Sequence, residues 1–305
     1  MKILLIGRLG QVAWELQREL ACLGDVIAVD RHSKPFALDL ADNDSIVSIV
    51  AAIKPDLIVN AAAYTAVDKA EQGDGFTDVA MQINGTALGV LAAAAKKCQA
   101  TLVHYSTDYV FDGNAQSPYV EMQATAPQGV YGHSKLVGEQ EIIASGVDHL
   151  ILRTAWVYGA RGSNFLLTML RLMQERTSLG IVADQIGSPT WSRQIASATA
   201  LMLVQCRHAQ RIQLGDKKGI YHLTCAGSAS WFDFASSIYQ QARQMGILQG
   251  EVTLNPLTTN DYPTPAKRPA YSVLSGEKLY DQFGLRLPDW QLALTDCLAE
   301  YALRV

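Results

Sequence analysis

Long apolar runs are missing from this chain of 305 residues. None approaches the length of about 18 residues that a membrane-crossing helix needs, and the apolar opening, residues 1–6, meets Gly7-Arg8 too soon for a secretory leader. Basic clusters are missing too: Lys and Arg never exceed two in a row and the net charge is -4, so the electrostatic footprint of a nucleic-acid binder is absent and a diffusible small molecule is the expected partner. Charged residues make up only 18% against 49% hydrophobic, which excludes disorder as a global state. Cysteine is sparse. Cys22, Cys98, Cys206, Cys225 and Cys297 are odd in number and form no C-x-x-C, which argues against a disulfide framework and a thiolate metal site. They are expected to be buried thiols in a reducing, cytoplasmic compartment. Internal repeats and low-complexity segments are absent as well.

What the chain does have is alternation. Short runs rich in Ile, Val and Leu at residues 2–6, 25–29, 56–60, 101–105 and 149–153 are separated by helix-like stretches, the pattern of β-α-β units around a buried parallel sheet. This predicts an α/β fold with a doubly wound, Rossmann-type parallel sheet. After about residue 156 the rhythm loosens into Gly, Pro and Thr clusters, with helix-like stretches at 164–175 and 191–206. The expected division is a dinucleotide-binding domain over residues 1–155 and a smaller substrate-binding lobe over 156–305, with a strand near 219–224 returning to the first sheet.

Gly7-x-x-Gly10-x-x-Ala13 follows the first strand and opens an amphipathic helix. Glycine there lets backbone N–H groups approach a pyrophosphate, whose charge a helix N-terminus favours; a tight turn without ligand is the bland alternative. Asp30 closes the second strand about 20 residues beyond Gly10, where a carboxylate accepts from adenosine ribose hydroxyls and favours NADH. Arg8, Arg31, His32, Ser33 and Lys34 surround the same place and suit a 2′-phosphate, so NADH and NADPH both stay open. The pair Asp39-Leu40 has the form of an adenine-contacting acid and apolar residue, and Asn60-Ala-Ala-Ala-Tyr-Thr65 offers small side chains at the carboxyl edge of the sheet.

Tyr131-x-x-x-Lys135 lies in a predicted helix over residues 128–145, which puts both side chains on one face. Tuning a tyrosine from about 10 to about 7 takes about 4 kcal/mol. An ammonium about 5 Å away would supply about 3 kcal/mol at an effective dielectric of about 20. Lys135, with the positive nicotinamide ring of an oxidised cofactor providing the rest, is therefore expected to acidify Tyr131. Thr107 leaves the fourth strand at the sheet's carboxyl edge, where its hydroxyl would meet a reacting carbonyl.

Together, Gly7-Arg-Leu-Gly-Gln-Val12, Ala61-Ala-Ala-Tyr-Thr-Ala-Val-Asp-Lys-Ala-Glu71, His104-Tyr-Ser-Thr-Asp-Tyr-Val-Phe111, Tyr131-Gly-His-Ser-Lys135, Leu152-Arg-Thr-Ala-Trp-Val-Tyr158 and Tyr262-Pro-Thr-Pro-Ala-Lys-Arg-Pro269 resemble the dTDP-4-dehydrorhamnose reductase family, within the extended short-chain dehydrogenase/reductases. The resemblance implies reduction by NADPH or NADH of the 4-keto group of dTDP-4-dehydro-6-deoxy-L-mannose to dTDP-L-rhamnose. It implies that Gly7, Gly10, Gln11, Val12, Asp30, Asp39, Leu40, Ala63, Tyr64 and Thr65 contact the dinucleotide. Thr107 and Asp108 would then touch the sugar, Tyr131 donate the proton, Lys135 hold the nicotinamide ribose and Trp156 pack beside the substrate. Arg268, in a Pro-rich loop, is the expected partner of the nucleotide diphosphate. Family members are also associated with a homodimer contact and with Mg2+ held by carboxylates near it. Glu15 fits one such position, but Arg193 stands where a second acid would align, which argues against a metal here.

Three other readings share these motifs. A 4,6-dehydratase usually places Asp-Glu after the threonine, whereas Asp108 is followed by Tyr109. An epimerase would retain its NAD and return the hydride, and a regulatory subunit would bind NADP without turnover.

Overall fold

The computed structural model describes residues 1–304. Its centre is a six-stranded, all-parallel sheet built from β1 (Lys2–Ile6), β2 (Asp25–Val29), β3 (Leu57–Asn60), β4 (Thr101–Thr107), β5 (His149–Thr154) and β6 (Gly219–His222), in the spatial order β6-β5-β4-β3-β1-β2. The order turns at β1 and β3, the switch point at which a doubly wound sheet leaves a crevice at its carboxyl edge. β3, β4 and β5 are buried throughout, as expected for strands covered on both faces.

Alternation of side chains assigns the two faces. Ile3 and Leu5 of β1 point into one core with α1 (Gln11–Glu19), while Leu4 and Ile6 point into the other with α2 (Asn43–Ile53) and α3 (Ala87–Lys97). Asp42 caps α2 by accepting from the Asp44 and Ser45 amides. A π-helical turn, Gln82–Thr86, precedes α3. Next to it packs α4 (Val130–Ser145), so closely that a Cβ at Gly138 would run into the Asn84 carbonyl.

The rest of the chain carries α5 (Phe165–Glu175), α6 (Ser192–Gln205), α7 (Trp231–Gln244) and α8 (Trp290–Ala302), with a two-stranded parallel pair of Ser178–Val182 and Thr253–Leu257. Asn164 caps α5 and a Ser230–Asp233 capping box opens α7. Cys22 departs from expectation: it is exposed, because it lies in the turn after α1, whereas Cys206, Cys225 and Cys297 are buried free thiols and Cys98 is half-buried. No helix among the described residues is long and apolar enough to cross a membrane.

One buried ion pair joins sheet to helix. Arg153 of β5 grips Glu139 of α4 with Nε at 2.9 Å and Nη2 at 2.6 Å, and Nη1 reaches the Glu121 carbonyl at 3.4 Å. Removing only one charge leaves the other buried and uncompensated. Arg153→Met is thus expected to cost about 3–5 kcal/mol in urea unfolding, and Arg153→Met with Glu139→Gln to regain part of that loss. A single variant within about 0.5 kcal/mol of the parent would contradict this account.

Candidate active site

The glycine turn is built as its spacing requires. Gly7 has φ +104°, and a Cβ there would stand 2.8 Å from the Ala62 nitrogen, so only glycine serves. Gly10 is the N-cap of α1 and offers no side-chain cap, which leaves the first amides of that helix without a side-chain partner at the carboxyl edge of the sheet. Gln11 accepts from Asn164 Nδ2 at 2.8 Å, and Val12 packs against the core beneath. Asp30 lies at the end of β2, where Oδ1 accepts from the His32 amide at 2.8 Å and the Ser33 hydroxyl at 2.9 Å. Burial raises its pKa, but those hydrogen bonds and the nearby Arg8 and His32 charges outweigh burial and hold it below the usual carboxylate range. These residues form a cradle that fits a dinucleotide pyrophosphate and ribose.

Asp39 and Leu40 are placed differently. Asp39 turns its Oδ1 to the Ala41 amide at 2.9 Å, and the Leu40 side chain is buried with Leu38 and Ile46 in the apolar cluster under the sheet. Leu40 therefore has a core role, because its side chain falls on the inward side of the loop.

Beyond β3, the segment Ala61 to Thr65 is tied to α4 by Asn84 of the π-helical turn, as π turns often do at functional sites. Asn84 Oδ1 accepts from the Tyr64 amide at 2.8 Å, while Nδ2 donates to the Tyr64 carbonyl at 3.0 Å and the Ser134 hydroxyl at 3.1 Å. Ser134 in turn donates to the Tyr131 carbonyl at 2.8 Å. One amide thus carries the position of the glycine turn's neighbour to the Tyr131 helix. Neither residue period nor motif marks Asn84, since its partners are remote in sequence.

Thr107, Asp108 and Tyr131 converge at the carboxyl end of β4. Thr107 Oγ1 donates to Asp108 Oδ1 at 2.9 Å, and Asp108 Oδ2 is buried without a partner. Burial pushes the Asp108 carboxyl up to about 6, with the neighbouring Ser272 and Thr107 hydroxyls opposing the rise. Tyr131 is half-buried; burial, with Asp108 adding to it and Thr107 opposing, raises its phenol to about 12. The expected acidification of Tyr131 by Lys135 is therefore not present in this state. Lys135 Nζ instead donates to the Tyr105 carbonyl at 2.6 Å and lies 3.0 Å from His104 Nε2, and burial lowers it to about 7.

Tyr109 stands edge-on to Tyr131, ring centroids 5.7 Å apart, and its phenol feels the charges of Arg268 and Asp68. Asp68 and Arg268 belong to the wall of a cavity of about 820 Å³ that also includes Phe165, Arg176, Val182 and Trp231. Arg268 is engaged there by Asp68 at 2.8 Å. Trp156, at φ +45°, stacks face to face on Trp231 with centroids 3.5 Å apart, and it is Trp231 that lines this cavity, with Trp156 behind it. Trp231 lacked a sequence signal because it opens a helix far from every motif. Glu15 meets Arg193 Nε at 3.2 Å, and Arg193 also meets Glu300 at 2.7 Å, so a guanidinium neutralises that carboxylate. No group of three or more His, Cys, Asp and Glu suited to a metal occurs among the described residues.

The model of the RmlD substrate binding domain family matches residues 1–303. The chain is 46% identical to the dTDP-4-dehydrorhamnose reductase of Escherichia coli K12, over 98% of both chains, and 49% identical to that of Burkholderia thailandensis, over 98% of this chain and 99% of the relative. Among solved structures, the Bacillus anthracis dTDP-4-dehydrorhamnose reductase in complex with NADP is 34% identical with a TM-score of 0.86, covering 98% of this chain and 99% of that one. A Clostridium acetobutylicum dTDP-4-dehydrorhamnose reductase is 36% identical with a TM-score of 0.88 over the whole of both chains.

Because Asp108 titrates higher folded than unfolded, its ionisation withdraws stability as pH rises from about 4 through about 6. Asp108→Asn keeps the Thr107 hydrogen bond and cannot ionise. It is expected to be about 2–3 kcal/mol more stable than the parent near pH 8, with the gain gone near pH 4. Urea titrations at the two pH values check this, and a loss of stability near pH 8 would refute the carboxyl's environment as described.

Proposed function

The chain belongs to the RmlD substrate binding domain family, that of the dTDP-4-dehydrorhamnose reductases, and we propose that it reduces the 4-keto group of dTDP-4-dehydro-6-deoxy-L-mannose with Tyr131 as proton donor. The observation that carries this is the convergence of Thr107, Asp108 and a protonated Tyr131 at the sheet edge that also presents the Gly7 turn. Residues 1–155, with the strand near 219–224, would hold the dinucleotide, and residues 156–305 mainly the nucleotide sugar. Gly7, Gly10, Gln11 and Val12 would line the pyrophosphate, Asp30, Asp39 and Leu40 would contact the adenosine end, and Ala63, Tyr64 and Thr65 would approach the nicotinamide half.

When bound, the dihydronicotinamide supplies a hydride to C4 of the sugar. A carbonyl that receives hydride becomes an alkoxide, and the site is arranged for that charge. Tyr131, held as a neutral phenol by burial, gives its proton to the oxygen. Thr107, whose hydroxyl donates to Asp108 in the empty site, is proposed to turn that hydrogen to the same oxygen when the sugar binds. Arg268 is proposed to pair with the diphosphate once it releases Asp68, since guanidinium and phosphate match bidentately. Trp156 is proposed to act through the stack with Trp231 that borders the cavity.

Tyr131→Phe is expected to lower turnover by about 10²- to 10⁴-fold with NADPH affinity little changed, measured by cofactor oxidation with the keto sugar. Near-normal turnover would remove Tyr131 as the acid. Asp30→Ala is expected to weaken NADH about tenfold or more while weakening NADPH less, and equal losses in Kd would contradict the ribose assignment.

A further inference from the structure

A buried line of hydrogen bonds runs from β3 through β4 into α4. Ala62 N–H donates to Asn60 Oδ1 at 3.1 Å, which fixes the amide so that Asn60 Nδ2 faces His104 Nδ1 at 3.1 Å. With Nδ1 accepting, a neutral imidazole carries its proton on Nε2, which lies 3.0 Å from Lys135 Nζ. Asn60 and His104 are fully enclosed and Lys135 is 1% exposed, so no water relieves a mismatch.

An ammonium at Lys135 would set two donors against each other. A neutral amine does not: its lone pair accepts from His104 Nε2–H while one of its own N–H groups donates to the Tyr105 carbonyl at 2.6 Å. Moving the histidine proton to Nδ1 only shifts the conflict, first to the Asn60 amide group and, if that amide rotates, to the Ala62 N–H. A charged imidazolium worsens it. We propose that His104 holds Lys135 as a neutral amine while the dinucleotide site is empty, and that Lys135 takes up a proton from solvent when the dinucleotide binds.

The proposal rests on the reading of Lys135 as the nicotinamide-ribose residue. His104 is then a positioning residue, acting through Lys135. The surrounding groups agree with an uncharged amine. From its own helix come Glu139 and Tyr131; Glu139 favours the ammonium, but its carboxylate is engaged by Arg153 of β5 at 2.6 Å, and Tyr131 is a neutral phenol. From β4 come the neutral His104 and the Tyr105 carbonyl, with Asp108 at the end of that strand, and from β3 the Asn60 amide. Burial prevails and brings Lys135 down to about 7. Ribose hydroxyl oxygens can accept from an ammonium, and by drawing Nζ away from His104 Nε2 they end the clash of donors, so binding reverses the preference. The charged lysine then supplies the field that stabilises Tyr131 after its proton leaves, a field the empty site lacks.

Titration calorimetry of the whole protein with NADPH, near pH 8 in two buffers of unlike ionisation enthalpy, reads the proton directly. The unmodified protein is expected to take up about one proton per site, and Lys135→Met none. His104→Asn keeps a partner for Asn60 but removes the donor facing Lys135, so the lysine is already charged and uptake falls to less than half. Heat that does not depend on buffer in the unmodified protein overturns the proposal while leaving dinucleotide binding intact. Undiminished uptake in either variant overturns it as well, and failure to bind NADPH or NADH at all overturns the functional reading with it.

Discussion

A lysine enclosed by protein on every side is the constraint around which this site is organised. An ammonium removed from water must be paired or must lose its proton, and among the described residues Lys135 has only His104 and a backbone carbonyl within hydrogen-bonding distance. The carboxylate of Glu139, whose charge favours the ammonium, is already engaged by the buried Arg153. From this follow the fixed tautomer of His104, the orientation of Asn60 at the end of β3, and the seating of α4 against β4 and β5. The helix that carries Tyr131 is thus aligned to the sheet by polar contacts as well as by apolar packing.

The same dryness bears on Tyr131, the proposed proton donor. Tyr131 was expected to be acidified by its lysine, yet burial and the neighbouring Asp108 carboxyl push its phenol the other way. For a reduction this is useful, because the group must arrive with its proton in place and release it only as charge develops on the substrate oxygen. Asp108, with one oxygen unpartnered and a raised pKa, is a local cost of the kind that functional sites carry and the surrounding fold offsets.

Much of the architecture was legible in the chain. Runs of β-branched residues marked β1 to β5, and the Gly219–His222 strand was visible as a late apolar run that belongs to the first sheet. Thr107, Asp108 and Tyr131 were visible because spacing and strand ends carry them to one edge. Asn84, Tyr109 and Trp231 were not, since each acts through partners remote in sequence. His104 did leave a trace, as a titratable residue inside an otherwise apolar strand. The packing of Leu40 into the core and the stacking of Trp156 on Trp231 were not legible, because a loop's inward side and an aromatic stack are set by tertiary contacts rather than by local pattern.

The central claim is that one cleft joins a bound hydride donor to a phenolic proton donor and sends the hydride irreversibly to the sugar. Turnover of the dTDP-4-keto-6-deoxy sugar with NADPH deuterated at the transferable position of C4 tests it most directly, read by mass and magnetic resonance of the product. The account predicts stoichiometric NADPH oxidation and a dTDP-6-deoxy sugar that carries the deuterium at its own C4. An unlabelled sugar, or an epimerised one formed without net cofactor oxidation, would contradict it.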